Sequence, residues 1–410
     1  MANFLLGWEL GGGLGHAARL KPLAEELHRR GHRCTLVLRD LVQTDNVLRD
    51  TPFLRLQAPV WLHQTMGGPG TQVSLAEILT GNGYLQAAHL QAMVQGWLAA
   101  IELTQADAVI ADYAPTAVLA ARVAGRPSSG IGIGFYVPPD VAPVPAFRDW
   151  EPVHAARVLH ADGAVLACAN AVLAAHGRPA FDRLSQLFRG DDPLLCTWPE
   201  LDHYGRGELP AGQRYYGPNF LPHAGAAPEW PAGEGPKVFA YLKSAHPDHA
   251  EVLKALVRIG CRVVCYLPEM AAGKPAPVTS PNIRYSLAPV DLGRAFAECR
   301  LVVCHGGEAT LAQSLLAGVP LLLLPMQAEQ FLISRCVART GAGINAAEAR
   351  RPTDFEALIR RLIEQPEARD AAVLIAQKHA GFDHETQTRE MADAFEALAA
   401  RPRPDRPAAP

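Results

Sequence analysis

The sequence has no excess of positive charge, and this limits its partners. Its 38 lysines and arginines are outnumbered by 41 aspartates and glutamates, so the formal net charge is −3. A phosphate backbone or an anionic membrane surface requires clustered basic side chains to neutralise it. The composition therefore argues against nucleic acid as a partner.

A long hydrophobic run is also missing. The longest apolar stretch, from Leu315 to Met326, is interrupted by a glycine and two prolines and is too short to cross a bilayer. The N-terminal residues lack a cationic region, and Glu9 and several glycines break their apolar run, so we expect no signal peptide. We expect a cytoplasmic protein without a membrane span, and peripheral membrane contact remains open.

Several motifs that would define other chemistries are absent. The eight cysteines include no C-x-x-C pair, which predicts reduced thiols in the core. The sequence contains no G-x-S-x-G, H-E-x-x-H or Walker loop, which argues against hydrolases and ATPases. His246 and His249 form an H-x-x-H without a suitably spaced third ligand. We therefore expect neither a metal nor another cofactor.

What the sequence does contain is a repeated alternation of strand-like and helix-like segments. Such alternation is typical of a parallel sheet covered by helices on both faces, and 410 residues suffice for two such α/β domains. We predict a Rossmann-like N-terminal domain over 1–220, an Ala-, Gly- and Pro-rich linker over 221–236 and a second Rossmann-like domain over 237–375. Helices over 376–400 are expected to pack back on the first domain, and the tail 401–410 is expected to be disordered.

One turn in the second domain has the features of an anion site. The predicted strand LVVC ends before His305, Gly306 and Gly307, and a helix is predicted to start near Ala309 with Thr310 in its first turn. Glycines let a phosphate approach the backbone, and the free amides and dipole of a helix start favour negative charge. His305 and Thr310 add side-chain donors. An ordinary capped turn explains the local pattern equally well.

The residues from Cys304 to Gln330, CHGGEATLAQSLLAGVPLLLLPMQAEQ, resemble the donor-binding motif of the family 1, UDP-glycosyltransferase-like enzymes of the GT-B fold. That fold has two Rossmann-like domains facing a central cleft. The resemblance implies that His305 and Thr310 contact the diphosphate of a nucleotide sugar. It also implies that Gln313 contacts the ribose and that Glu329 and Gln330 contact the sugar.

Three positions depart from the family pattern. Gln313 stands where the family usually has Glu, and Glu329 stands where it has Asp. Val290 stands where a Gln commonly lies beside the base, which leaves the base undetermined. Ser244 lies where the family often has a Gly-Ser pair near the phosphates, although a solvated turn accounts for it equally well.

The N-terminal segment GGGLGHAARLKPLAEELHRRGH resembles the opening pattern of the same family, in which the early histidine is the catalytic base. The resemblance assigns this role to His16. A histidine can remove a proton near neutral pH, and its position at a helix start favours the neutral form. Asp112, at the end of strand DAVIAD, matches the family's orienting aspartate.

We therefore expect an inverting, metal-independent hexosyltransferase that uses a nucleotide sugar, UDP-sugar first and dTDP-sugar second, and a small apolar or aromatic acceptor. The composition of two loops suggests acceptor contacts from Trp61, Met66, Phe135, Tyr136 and Phe147.

Three alternatives remain open on the sequence. The GGGLG turn imitates the fingerprint of an NAD(P)-dependent oxidoreductase, although His16 replaces its third glycine. A non-hydrolysing sugar-nucleotide epimerase would keep the fold and would not need His16 and Asp112. A non-catalytic GT-B protein would bind a ligand without transferring a sugar. The sequence leaves the oligomeric state open.

Overall fold

The structure is a computed structural model that describes residues 1–63, 70–220 and 225–401. The chain forms two compact units. Met1–Gly217 and the segment that begins at Glu385 make the N-terminal unit, and Pro218–His384 makes the C-terminal unit. Each unit contains one six-stranded sheet.

Strands and helices alternate along the N-terminal unit. Its strands are β1 (Asn3–Trp8), β2 (Arg33–Leu38), β3 (Leu54–Gln57), β4 (Ala108–Asp112), β5 (Ser128–Gly132) and β6 (Leu194–Leu195). Its helices before the boundary are α1 (Gly15–Arg29), α2 (Leu41–Leu48), α3 (Leu75–Thr80), α4 (Ala87–Thr104), α5 (Pro115–Ala124), α6 (Ala155–Ala175) and α7 (Gln186–Arg189).

The C-terminal unit repeats the alternation. Its strands are β7 (Lys237–Tyr241), β8 (Arg262–Tyr266), β9 (Ile283–Ser286), β10 (Leu301–Cys304), β11 (Leu321–Leu323) and β12 (Gly343–Asn345). Its helices are α8 (His249–Ile259), α9 (Pro268–Ala271), α10 (Leu292–Glu298), α11 (Glu308–Leu316), α12 (Ala328–Thr340), α13 (Phe355–Glu364) and α14 (Glu367–Lys378), and α15 (His384–Ala399) ends the described chain.

The two sheets have the same strand order. The first is β3-β2-β1-β4-β5-β6 and the second is β12-β11-β10-β7-β8-β9, with every paired strand parallel. In each sheet the order reverses between two central strands, β1 and β4 in one and β7 and β10 in the other. Ligands of such sheets bind beyond the carboxyl ends of the strands at this reversal. The fold therefore predicts ligand-binding residues in the segments that follow these four strands.

The connection from β1 to α1 depends on glycine. Gly11 and Gly13 have φ angles of 76° and 99°, in the left-handed region that side chains other than glycine rarely adopt. Within β1, a Cβ atom at Gly7 would lie 2.9 Å from the indole of Trp97, so glycine also lets α4 pack against the strand. These glycines place the start of α1 directly at the reversal point.

The last helix, α15, belongs to the core of the N-terminal unit. Met391, Phe395 and Leu398 are buried together with residues of β1, β2 and α1. Arg30, the residue after the last turn of α1, donates to Glu396 at 2.7 Å. By contrast, α14 packs against α11 of the C-terminal unit, so only the second of these two helices returns to the first unit.

The predicted linker is mostly part of the C-terminal unit. Residues 221–224 lie outside the described residues. Ala226 then pairs with Val290: its N–H donates to the carbonyl of Pro289 at 2.8 Å, and its carbonyl accepts from the N–H of Asp291 at 2.8 Å. Gly235 accepts a hydrogen bond from Arg262 at 2.9 Å. Residues 225–236 are thus fixed along the second sheet. The predicted tail falls outside the described residues from 402 onward.

One helix among the described residues, α6, is long and apolar enough to cross a membrane by length and composition. It buries one face, including Val165, Ala169 and Leu173, and it packs against α3 and α4 as a core helix does. All eight cysteines, each within the described residues, are buried and form no disulfide bond. Across 1–63, 70–220 and 225–401, no three His, Cys, Asp or Glu residues are grouped as metal ligands.

Candidate active site

His16 and Asp112 meet at the reversal point of the first sheet. His16 is the second residue of α1, and Asp112 is the last residue of β4, next to β1. Nδ1 of His16 lies 3.1 Å from Oδ2 of Asp112, and the two side chains are 3 % and 0 % exposed. The two residues that the family resemblance paired from 96 positions apart are therefore in contact.

Aromatic rings fix the orientation of the His16 ring. The indole of Trp8 stacks on it with ring centroids 4.9 Å apart and an angle of 16°, and Tyr136 lies against it at 5.3 Å. A Cβ atom at Gly11 would lie 3.2 Å from Nε2 of His16. A side chain at position 11 would therefore press on the nitrogen that points away from Asp112.

Arg19 is a third member of this cluster, and the sequence reasoning missed it. Its Nη1 donates to both carboxylate oxygens of Asp112 at 2.9 Å. Burial disfavours the charged carboxylate, but Arg19 and then His16 outweigh that effect, so the pKa of Asp112 is lowered. The available signal was the spacing: Arg19 follows His16 by three residues and so shares its helix face.

Glu9 is a second buried acid near this edge that the sequence reasoning did not assign. Its two carboxylate oxygens accept from the backbone N–H and the hydroxyl of Thr116, at 2.9 and 2.5 Å. Thr116 also bonds the hydroxyl of Tyr84 at 2.7 Å. Burial raises the pKa of Glu9 to about 7 despite these bonds. Glu9 thus caps the start of α5.

In the C-terminal unit, both ring nitrogens of His305 have protein partners. Nε2 accepts from the backbone N–H of Lys243 at 2.8 Å, and Nδ1 donates to the carbonyl of Leu324 at 2.7 Å. Burial lowers the pKa of His305 to about 4. The ring is therefore neutral and ties the ends of β7, β10 and β11 together. It is not arranged here as the side-chain donor that we expected for a diphosphate.

The backbone at the start of α11 has the expected form. Gly306 has a φ of 79°, and a Cβ atom there would lie 2.6 Å from the hydroxyl oxygen of Ser334. Gly307 precedes the helix and no side chain caps it, and Thr310 is buried in the first turn. An acid, Glu308, occupies the first helical position. The free amides of a helix start remain the principal anion-binding groups of this turn.

Three other residues predicted to bind the sugar donor form hydrogen bonds within the C-terminal unit. Ser244 donates its backbone N–H to Glu269 at 3.0 Å, and Gln313 donates to the carbonyl of Ala309 at 3.1 Å. Gln330 accepts from the N–H of Met326 at 2.9 Å.

Two further predicted donor residues complete the set. The side chain of Val290 is buried, whereas Glu329 is half-buried in the first turn of α12.

The predicted acceptor residues that the structure describes differ in their exposure. Trp61 lines an open cavity of about 550 Å³ together with His63, His89 and Met93. Phe135, Tyr136 and Phe147 are instead buried. The reason is a tight turn after β5, in which the N–H of Tyr136 bonds the carbonyl of Ile133 at 2.9 Å and folds the chain back. Met66 lies outside the described residues.

Comparisons with known proteins agree with this architecture. Residues 250–398 match the family described as "Erythromycin biosynthesis protein CIII-like, C-terminal domain". A PGL/p-HBAD biosynthesis rhamnosyltransferase of Mycobacterium bovis (strain BCG / Pasteur 1173P2) is 27 % identical over 321 residues, which is 73 % of this chain and 69 % of the relative.

Solved structures show the same fold. The glycosyltransferase VinC, in complex with dTDP, superposes with a TM-score of 0.66 over 96 % of this chain and 99 % of its own, at 18 % identity. The calicheamicin glycosyltransferase CalG4 gives 0.67 over 98 % and 99 %, at 19 % identity. The fold is therefore GT-B. The chain is thus similar in sequence to a rhamnosyltransferase and in fold to glycosyltransferases of the GT-B type.

Proposed function

We propose that the chain is a glycosyltransferase that transfers the sugar of a nucleoside diphosphate sugar to a hydroxyl group of a small acceptor, with inversion at the anomeric carbon. The observation that carries the proposal is the buried contact between His16 and Asp112 at the reversal point of the first sheet. In the C-terminal unit, the start of α11 lies at the reversal point of the second sheet. The first unit thus contains a candidate base, and the second unit, taken by itself, contains a candidate anion site.

His16 acts as the general base in this proposal. Nε2 takes the proton of the acceptor hydroxyl while the hydroxyl oxygen forms a bond to the anomeric carbon. At the same time, the bond between the anomeric carbon and the diphosphate oxygen breaks, and the nucleoside diphosphate leaves. Asp112 faces Nδ1, so it holds the ring in position and stabilises the imidazolium that forms. Attack from the face opposite the diphosphate inverts the anomeric configuration.

The diphosphate would be bound by the start of α11. Gly306 and Gly307 leave the backbone accessible, the first amides of the helix donate to phosphate oxygens, and Thr310 adds a hydroxyl. This binding mode requires no metal. VinC has been solved with dTDP, and Val290 places an apolar side chain where the family commonly has a glutamine. We therefore propose a dTDP- or UDP-sugar as donor and test the dTDP-sugar first.

The acceptor is proposed to be apolar or aromatic. The cavity beside Trp61 is lined by Val60, Leu62 and Met93 as well as by two histidine rings. The ring centroid of Trp61 lies 4.9 Å from that of His63 and 5.4 Å from that of His89. A flat apolar molecule fits such a surface, and a hydroxyl on that molecule would receive the sugar.

The test is a panel of UDP-, dTDP- and GDP-sugars, with NADH included, scored by thermal stabilisation and by release of the nucleoside diphosphate with aromatic acceptors. We expect stabilisation by a dTDP- or UDP-sugar and diphosphate release that depends on the acceptor. Stabilisation by NADH alone would remove the transferase assignment. A change of the donor sugar without any acceptor would indicate an epimerase.

A substitution separates the base from donor binding. His16→Ala should keep the thermal stabilisation by donor and lower the transfer rate by at least about 100-fold, since general base catalysis typically contributes that much. His28→Ala is the matched control, because His28 lies on the same helix but is exposed and outside the cluster. Full activity of His16→Ala would contradict the assignment of the base.

A further inference from the structure

We propose that Arg19 is a positioning residue for the reaction: by sharing the charge of Asp112, it opposes a second positive charge on His16 and leaves the carboxylate to orient the ring. The inference rests on the proposed function, because it concerns the resting state of the proposed base. The sequence motif assigned no role to this arginine.

The geometry makes one carboxylate serve two partners. Nη1 of Arg19 lies 2.9 Å from Oδ1 and 2.9 Å from Oδ2 of Asp112, and Oδ2 is also the oxygen 3.1 Å from Nδ1 of His16. The side chain of Arg19 is 7 % exposed and that of Asp112 is fully buried. Water therefore does little to screen these charges, and their balance is set by the three side chains.

The charges around the ring change when Arg19 is present. A buried aspartate with only a histidine beside it is compensated when the histidine takes a proton, so such a pair favours the imidazolium. With Arg19 present, Asp112 is already compensated, and a proton on His16 would leave one uncompensated positive charge. Arg19 therefore opposes protonation of His16 and leaves Asp112 ionised to orient the ring.

No other charged side chain is placed against the ring by a described contact. Trp8 stacks on it, Gly11 lies at Nε2, and Tyr136 packs on its other side with Tyr113 stacked behind at 4.4 Å. Phenols carry no charge near neutral pH. Among the described contacts, the charged groups nearest the ring are therefore Asp112 and, through it, Arg19.

A different role for Arg19 would be purely structural, joining α1 to β4. The two roles predict different behaviour with pH. Loss of a structural contact lowers stability or activity by the same factor at every pH. Loss of the charge shared with Asp112 shifts the pH at which His16 protonates, and so its effect disappears at high pH.

The decisive measurement is the titration of His16 by ¹⁵N NMR of the histidine-labelled full-length protein, with the signals assigned by their loss in His16→Gln. We expect Arg19→Gln to move the midpoint upward by at least about one pH unit, the lower range for a nearby charge. Arg19→Lys should return most of the shift. An unchanged or lowered midpoint in Arg19→Gln would overturn the proposal.

Arg189→Gln is the matched control. Arg189 is also buried in the N-terminal unit, and it donates to the carbonyl of Pro138 and to Gln213, both at 2.9 Å, without contacting a carboxylate. This variant should alter stability and leave the titration of His16 in place. If Arg19→Gln does not fold, Arg19→Lys still tests the proposal, because an upward shift as large as about one unit in this variant, which keeps the charge, would overturn it.

Activity gives an independent reading once a donor and an acceptor are known. The turnover number of Arg19→Gln should fall by up to about tenfold on the acid side of the pH profile and match that of wild type on the alkaline side, because a shift of one pH unit is a tenfold change in the neutral fraction. Equal losses on both sides of the profile would overturn the proposal. If the wild-type protein transfers no sugar, the proposed function fails, and the NMR titration still reports on Arg19 separately.

Discussion

Acid should loosen the turn that His305 holds together in the C-terminal unit. The ring accepts from Lys243 through Nε2, and a protonated ring has no lone pair for that bond. Protonation would also place a charge in a buried site whose nearest ring, His246, can itself become positive. The perturbation we choose is His305→Gln, because glutamine supplies one donor and one acceptor but does not titrate in this range.

The magnitude follows from linkage. The pKa of His305 is about 4 in the folded protein and 6.5 in an unfolded chain. Since the folded value is the lower one, the unfolded chain binds the proton first, and stability is lost as the pH falls from 6.5 towards 4. Over the whole range this amounts to about 3 kcal/mol, and between pH 7 and pH 5 to about 2 kcal/mol.

Native-state hydrogen exchange of the full-length protein, followed on peptides that cover β10 and β11, measures this locally. At pH 7 we expect the variant to be less stable by about 1 kcal/mol, the net value of a typical hydrogen bond. At pH 5 the difference should vanish or reverse, because only the wild type loses stability through this group. A difference that stays constant from pH 7 to pH 5 would refute the reasoning.

Two further predictions concern single residues near the reversal points. Burial raises the pKa of Glu9 to about 7, above the ordinary 4.5, so the ionised carboxylate destabilises the folded protein at high pH. The free energy of unfolding of the wild type should therefore increase by up to about 3 kcal/mol from pH 8 to pH 4.5, and urea unfolding of Glu9→Gln should show no such increase from this site. Gly306→Ala should lower the melting temperature and weaken donor binding, because its φ is 79° and the added Cβ would lie 2.6 Å from Ser334 and 3.1 Å from the carbonyl of Gln330. Gly307→Ala, with open space around it, should keep the wild-type melting temperature, and equal losses in the two variants would contradict this explanation.

Much of the fold could be predicted because long segments have a clear period. Fully buried strands such as β1 and β10 are continuous apolar runs, and α1 has its apolar residues at helical spacing. The two short edge strands β6 and β12 were not predicted. They have two and three residues, which is too few to show a period, and pairing with a neighbouring strand defines them.

The contact between His16 and Asp112 could be predicted because chain position sets it. Both residues lie at or after the end of a central parallel strand, and adjacent parallel strands end at the same edge. The hydrogen-bond partners of other side chains could not be predicted in this way. His305 was expected to donate to a ligand, but both of its nitrogens are used by backbone groups from two other loops.

The sequence by itself determined the repeated α/β alternation, the glycine-rich turns and the positions of His16 and Thr310 at helix starts. Those features are local, since they depend on period, on φ angles that glycine permits and on order along the chain. The tertiary structure alone decided that Arg19 shares Asp112 with His16 and that α15 completes the core of the first unit. These contacts join residues more than 90 positions apart, and a local sequence pattern does not indicate which distant residues will be in contact in the fold.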